Sequence, residues 1–270
     1  GWGPVPAMGV SGAAMASVFT QGLSALMGIL ILKSGRFGIE LQVQDFKPDL
    51  GWFKELIRIG TPSSLEFSTR ALGMTMLITI VTSFGSMVVA SYGIGARILS
   101  FVIIPALGLS SATTTLVGQY VGAEKIGKAE EVGVISTKVA FYSLTAIGAL
   151  LYAFARPLTA FFVPGETQVI ENGALFIKIM APSFGLLGIQ QVINGVFNGA
   201  GFTLASMIVS ILSLWIIRFP MAYILSNNTG LSYDGIWWSF PISNLIAAIF
   251  AFLWFQRGDW KKRGRISFQA

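Results

Sequence analysis

Residues 105–131 read PALGLSSATTTLVGQYVGAEKIGKAEE, and the character of the chain changes within this stretch. Its first part is apolar enough to continue a membrane-spanning helix, whereas its second part carries Lys125, Lys128 and three glutamates. Glycine readily adopts the left-handed backbone conformation that ends many helices. We therefore predict that a helix ends near Gly118, that a tight turn follows at Gly122, and that the stretch is a hinge between two spans.

The composition is that of an integral membrane protein. Of the 270 residues, 54% are hydrophobic and only 11% are charged, and the mean hydropathy is +0.72. Soluble domains carry about 25% charged residues. The sequence has no His and no Cys, which excludes imidazole and thiol chemistry and the zinc or haem sites that use these ligands. We expect no metal, no cofactor and no enzymatic activity.

Seven apolar runs are long enough to cross the roughly 30 Å hydrocarbon core of a bilayer. They cover residues 8–32, 61–84, 88–116, 132–154, 172–197, 202–225 and 235–255. Within the polar segment after the first run, the apolar side chains of 50–59 fall on one helical side. This pattern predicts an interfacial helix before Pro62, which would start the second span. The fold class is therefore all-α membrane protein with about seven spans.

Lys and Arg residues are distributed unevenly between the loops. The segments 33–58, 119–131 and 256–270 alternate with loops that together hold only Arg156. The preference of positive charge for the cytoplasmic side explains this asymmetry, and the net charge of +6, better than a nucleic acid partner does. We predict a cytoplasmic C terminus and an external residue 1.

The start of the chain leads us to expect a piece of a longer protein. The opening GWGPVP has no initiator Met and no signal-peptide features, although seven spans would place it outside. A weak internal repeat agrees with this expectation, because 12–21 and 235–244 each begin with glycine and end with a hydroxyl–amide pair. Repeated bundles are common in transporters. We predict one helix of a first bundle followed by a complete six-helix bundle.

Short motifs occur in order along nearly the whole chain and resemble those of the MATE (multidrug and toxic compound extrusion) transporters. They are 6–14 (PAMGVSGAA), 105–123 (PALGLSSATTTLVGQYVGA), 198–201 (NGAG), 215–220 (WIIRFP), 235–237 (GIW) and 260–261 (WK). Each motif alone is weak, whereas the ordered set is specific. The resemblance implies a cation-coupled exporter of two six-helix lobes, of which this chain covers the sixth to twelfth helices.

The resemblance also implies a domain plan and a function. Residues 1–32 would be the last helix of the N-terminal lobe, 33–60 the cytoplasmic linker with an amphipathic helix, 61–256 the C-terminal lobe, and 257–270 a basic tail. The protein would be an H⁺- or Na⁺-driven multidrug antiporter of the cell membrane that works by alternating access. Its partners would be the lipid bilayer, the absent N-terminal lobe and small amphipathic, cationic compounds.

Ionisable side chains inside a membrane are costly and usually face a cavity or a partner. Glu66 and Arg70 are four residues apart, so they share one face of the second span and can pair. One interpretation makes Glu66 a carboxylate that binds the coupling cation while Arg70 keeps it ionised. The other is a structural ion pair near the cytoplasmic entrance. Some MATE members carry a coupling glutamate in the matching helix.

The fifth span offers amides in place of the acid that those members carry in their tenth helix. Gln191, Asn194 and Asn198 recur on one helical face, with Gln190 beside them. Amides can bind a substrate or hold helices together, and both interpretations stay open. Thr20 in the first span is a further candidate contributor to a cation site.

Arg97 and Arg218 also lie within predicted spans. We favour a structural role for both, with Arg218 bonding a carbonyl that Pro220 frees, while a basic cavity for an anionic head group is the alternative. Pro105 and Pro220 are expected to bend their helices.

Two other functions compete with the antiporter. A flippase for lipid-linked oligosaccharides of the same superfamily is favoured if Arg70, Arg97 and Arg218 converge on one cavity. A non-transporting fragment that supplies one lobe is the second alternative.

Overall fold

The computed structural model describes residues 8–34 and 49–263. Within these two ranges every regular element is a helix. The chain divides into two compact units between Glu55 and Leu56. Residues 35–48 of the linker predicted over 33–60, and residues 264–270 of the predicted tail, lie outside the described ranges.

The first unit contains α1 (Gly9–Lys33) and the beginning of α2 (Leu50–Thr82). The second unit holds the remainder of α2 and a series of further helices. These are α3 (Ser86–Gly122), α4 (Ile126–Ala153), α5 (Ala155–Phe162), α6 (Thr167–Met180), α7 (Phe184–Gly199), α8 (Thr203–Ile211), α9 (Phe219–Asn227), α10 (Asp234–Arg257) and α11 (Asp259–Arg263). A 3₁₀ turn, Ala181–Ser183, joins α6 to α7, and a π-helix, Leu212–Arg218, joins α8 to α9.

Six helical segments of the described chain are long and apolar enough to cross a membrane, which confirms the all-α membrane class. They are Gly9–Lys33, Ser86–Gly122, Ile126–Ala153, Thr167–Gly199, Thr203–Asn227 and Asp234–Arg257. The seventh predicted span, 61–84, corresponds to the C-terminal part of α2, which ends at Thr82. That helix has sufficient length, but the charges of Glu66 and Arg70 lower its hydropathy, and it is not among the six.

Pro62 does not start a helix, contrary to the sequence prediction. The predicted interfacial helix and the second span are one continuous helix, α2. Proline removes a backbone donor from the helix interior and leaves carbonyl groups of the preceding turn exposed. Two hydroxyl groups bond a carbonyl of that turn: Ser63 Oγ and Thr203 Oγ1 donate to the carbonyl of Ile59 at 3.3 Å and 3.0 Å.

The prediction that α3 ends near Gly118 is also wrong. The helix continues to Gly122, and the left-handed residue after it is Glu124, with φ of 58°. The amide of Lys125 then donates to the carbonyl of Tyr120 at 2.8 Å, and the amide of Glu124 donates to that of Val121 at 3.0 Å. These bonds satisfy the last carbonyls of the helix, so a glycine is not required for the turn.

Gly118 instead belongs to a close contact between α3 and α7. Ser110 Oγ donates to the carbonyl of Gln191 at 2.8 Å, and Thr114 Oγ1 donates to that of Gly195 at 3.0 Å. A Cβ at Gly118 would lie 3.4 Å from the carbonyl oxygen of Gly199. The contacts recur every four residues in both helices, so α3 and α7 run parallel with their backbones close together, as small residues allow in membranes.

We predict that Gly195→Ala destabilises the bundle because the new Cβ would lie 2.6 Å from the carbonyl oxygen of Ser110. The expected loss is about 1–3 kcal/mol, the usual cost of overpacking. Thermal unfolding of the full-length protein in detergent measures the change. Gly108→Ala is the matched control, because a Cβ there meets nothing within 4 Å. Equal melting temperatures for the two variants would contradict the close contact.

Candidate functional site

Glu66 and Arg70 form an ion pair on one face of α2. Arg70 Nη2 lies 2.8 Å from Glu66 Oε1, as their spacing predicted. Glu66 is 3% exposed, and the side chain of Arg70 is 24% exposed. The carboxylate is therefore buried inside the bundle, whereas the guanidinium reaches the edge of an open space.

Polar side chains from α7 and α8 surround this ion pair. Arg70 Nη1 donates to Gln191 Oε1 at 2.9 Å, and Arg70 Nη2 also donates to Ser210 Oγ at 3.1 Å. Ser210 Oγ donates in turn to Glu66 Oε1 at 3.1 Å. Asn194 Nδ2 lies 3.5 Å from both Glu66 Oε1 and Ser210 Oγ. The five side chains form one network, which we call the Glu66 network, and it connects three helices.

The Glu66 network contains unused acceptor oxygens. Glu66 Oε2 and Asn194 Oδ1 are buried and accept no hydrogen bond from the part of the chain that the structure describes. Each of these oxygens has lone pairs that can accept a hydrogen bond from a further donor. The network therefore has acceptor capacity that its own donors do not use.

The other predicted amides have separate positions. Gln190 is buried and lines the cavity described below. Asn198 does not join the Glu66 network, because its Oδ1 accepts a bond from Ser206 Oγ at 2.6 Å and thereby ties α7 to α8. Thr20 belongs to the other unit, and its hydroxyl donates to the carbonyl of Ala16 within α1 at 2.8 Å.

Arg218 is held by the side chains of α10, not by the backbone carbonyl that the sequence prediction proposed. Its Nε donates to Ser243 Oγ and its Nη2 donates to Asn244 Oδ1, both at 2.8 Å. The guanidinium carbon lies 4.6 Å from the centre of the Phe240 ring. Asn244 Nδ2 donates to Ser183 Oγ at 3.1 Å, which fixes the amide. Ser243 and Asn244 are the hydroxyl–amide pair of the internal repeat.

The side chains of Arg70 and Arg218 line the same cavity, whose volume is about 490 Å³. The neutral polar side chains that also line it are Ser100, Gln190, Gln191, Ser210, Ser213 and Asn244. The remaining lining is mostly apolar, and it includes the aromatic rings of Tyr92, Phe176 and Phe240. The cavity is thus mostly apolar and basic, with two arginines and no carboxylate among the described residues that line it.

Three residues predicted to be structural or cavity-lining lie elsewhere. Arg97 is exposed and does not line the cavity, so two of the three span arginines converge, not all three. Pro105 lies inside α3, and Pro220 lies near the start of α9 directly after the π-helix; neither lines the cavity. The wide π-helical turn accommodates Pro220, as such turns commonly do at helix irregularities.

Sequence reasoning missed Ser210 and Asn244 as site residues. Ser210 is a single hydroxyl in an apolar run and carries no distinctive pattern. Asn244 was visible as half of the repeated hydroxyl–amide pair, but only the fold shows that this pair faces Arg218.

A comparison with known protein families identifies the family to which the chain belongs. The MatE family model matches residues 62–224. The chain belongs to the MatE (MATE transporter) family. This result confirms the resemblance that the sequence motifs predicted, and the relatives in that family are membrane transporters, not enzymes.

Individual MATE relatives agree with the family match. The chain is 31% identical to a probable multidrug resistance protein NorM of Thermotoga maritima, over 96% of this chain and 55% of the relative. It resembles the solved outward-facing conformation of a multidrug resistance MATE family transporter, with a TM-score of 0.87 and 27% identity, over 94% of this chain and 58% of that one.

A second similar solved structure has a binding pocket that is described by its polarity. It is a Pyrococcus furiosus MOP superfamily transporter whose binding pocket has reverse polarity, which suggests a different function for that protein. The TM-score is 0.86 at 27% identity, over 93% of this chain and 56% of that one. The chain thus spans little more than half the length of each of these MATE relatives.

We predict that Arg70→Gln destabilises the bundle more than the double change Glu66→Gln with Arg70→Gln. Removal of the guanidinium alone leaves a buried unpaired carboxylate, which costs about 3–5 kcal/mol. The double variant replaces both charges with amides, and most of that loss should be recovered. Denaturation of the full-length protein measures both variants, and equal losses would show that the carboxylate does not depend on Arg70.

Proposed function

We propose that this chain is part of a cation-coupled antiporter that moves amphipathic organic compounds across the cell membrane. The observation that carries the proposal is the Glu66 network beside the cavity. A carboxylate buried at membrane depth is costly to maintain, and in transporters such groups commonly serve in proton or ion transfer. Arg70 belongs both to the network and to the cavity lining, so a change of charge at Glu66 reaches the cavity directly.

Glu66 is the proposed coupling residue. A proton on the carboxylate would remove the charge that holds Arg70 Nη2 at 2.8 Å. Release of the guanidinium would alter the cavity, so proton uptake and substrate binding are energetically linked. One carboxylate with an unused oxygen is sufficient to hold a proton, whereas Na⁺ requires several further oxygen ligands. We therefore favour H⁺ as the coupling ion.

Alternating access requires a second body against which this bundle can move. We propose that the missing N-terminal lobe of the same protein supplies it, with substrate bound between the lobes. The coverage supports this proposal, because the chain matches little more than half of each relative. Inverted or repeated bundles that rock around a central site are common among secondary transporters.

The proposed orientation places the C terminus in the cytoplasm. Lys261 Nζ of α11 lies 2.6 Å from Glu130 Oε1 near the start of α4, so α11 and the charged start of α4 lie at the same end of the second unit. Two basic segments at one end agree with the preference of Lys and Arg for the cytoplasmic side.

The lipid-linked flippase is the second candidate function, and one observation favours it. Two arginines and no carboxylate line the cavity among the described residues, which is the polarity expected for an anionic head group. The same observation disfavours the cationic substrates expected from the sequence, at least within this cavity. Arg97 does not join the cavity and so does not add to the case.

The proposed coupling is tested by transport in proteoliposomes containing the full-length protein. We expect substrate movement that depends on an imposed proton gradient, and we expect Glu66→Gln to abolish that dependence. Glu171→Gln is the matched control, because Glu171 forms an exposed ion pair with Arg156. A Glu66→Gln protein with unchanged gradient-driven transport would overturn the proposed role of this residue.

A further inference from the structure

The two arginines of the cavity carry an inference about the charge of the ligand. We propose that the cavity binds the anionic group of an amphipathic compound between Arg70 and Arg218. The apolar part of the compound would lie against the aromatic side chains that line the cavity. The inference rests on the proposed function for the transport of this compound. Binding itself can be measured independently of transport.

Arg218 provides the first part of the argument. All the contacts of its guanidinium are neutral: the hydroxyl of Ser243, the amide oxygen of Asn244 and the ring of Phe240. No carboxylate among the described residues forms an ion pair with it. Arg218 is half-buried, and a guanidinium partly withdrawn from water without a counter-charge is costly; a bound anion would offset that cost.

Arg70 provides the second part. Its charge is shared with Glu66, whose Oε1 accepts from Nη2, while Nη1 donates to the neutral Gln191. When Glu66 is ionised, its carboxylate neutralises Arg70 and only Arg218 lacks a counter-charge. When Glu66 is neutral, both arginines lack one. The cavity attracts an anion in either state. The anion and the carboxylate of Glu66 also compete for the same guanidinium.

The remaining walls define the rest of the ligand. The rings of Tyr92 and Phe240 and the side chain of Met74 offer an apolar, polarisable surface. A volume of about 490 Å³ lies within the range of small-molecule sites, about 300–1,000 Å³. Planar guanidinium groups bind carboxylate, sulfonate and phosphate oxygens well. The ligand class is therefore an aromatic or acyl compound with one such acidic group.

The first experiment compares two probes of the same shape and opposite charge. Naphthalene-2-sulfonate and 2-naphthylmethylammonium are titrated calorimetrically into the purified full-length protein in an uncharged detergent. We expect the sulfonate to bind at least about tenfold more tightly, a difference within reach of one charge-assisted contact. Equal binding, or tighter binding of the ammonium compound, would overturn the proposal. This comparison needs no variant.

Variants then locate the site. Arg218→Gln should weaken sulfonate binding roughly ten- to hundredfold, whereas Arg97→Gln should leave it unchanged, because Arg97 is a span arginine outside the cavity. Glu66→Gln should strengthen binding, because it removes the carboxylate that competes for Arg70. If Arg218→Gln does not fold, Arg218→Lys retains the charge and should bind with intermediate affinity. Equal loss in the Arg97 and Arg218 variants would contradict the site.

A competition experiment separates the two sources of the anionic group. Phosphatidylglycerol is added to the micelles during the sulfonate titration. Displacement would identify a lipid head group as the natural anion, and binding without displacement would identify a soluble organic acid; both support the anion site. If no sulfonate binds while gradient-driven transport persists, the inference fails and the proposed function stands. If sulfonate binds but transport ignores the gradient, the proposed coupling fails and the anion site stands.

Discussion

The buried ion pair between Glu66 and Arg70 is the interaction on which the arrangement around the cavity depends. Glu66 is buried away from water, so most of its polar contacts and those of Arg70 come from the protein. Gln191 and Ser210 supply those partners from α7 and α8. The requirement fixes the rotation of α2 about its axis and its height against the bundle. The indole of Trp215, which donates to the carbonyl of Thr69 at 3.2 Å, adds a second polar contact on the same side.

Much of the fold was predictable because a helix that crosses a membrane must be long enough and apolar enough to span the hydrocarbon core. Apolar length identified the spans, and four-residue spacing identified the pairing of Glu66 with Arg70. The boundaries were less predictable. Pro62 and Gly118 are residues that often end helices, yet α2 and α3 pass through them. In both places tertiary contacts, Thr203 against Ile59 and Gly118 against Gly199, decide the outcome, and local sequence does not contain them.

The candidate site was predictable only in part, for a related reason. The charged half of the Glu66 network stands out in an apolar run, whereas Ser210 resembles any other hydroxyl in a membrane helix. The position of Arg218 depends on the π-helix that ends with it, because the wider turn changes the direction of the side chains along it and after it. Single-sequence patterns assume regular α-helical periodicity and cannot register that change. The basic character of the cavity follows from this rotation, since it turns Arg218 toward Asn244.

The parallel contact between α3 and α7 has a mechanical consequence. Ser110 and Thr114 of α3 each donate a side-chain hydrogen bond to a backbone carbonyl of α7. These hydroxyl groups are four residues apart, and so are the glycines of α7 that face them. A Cβ at Gly199 would come within 2.5 Å of the carbonyl oxygen of Thr114, so the two backbones are already as near as their atoms permit. The two helices therefore cannot slide past or twist against each other, and they move as one rigid pair. Any widening or narrowing of the cavity must therefore come from the walls outside this rigid pair, among them α2 and the π-helical segment.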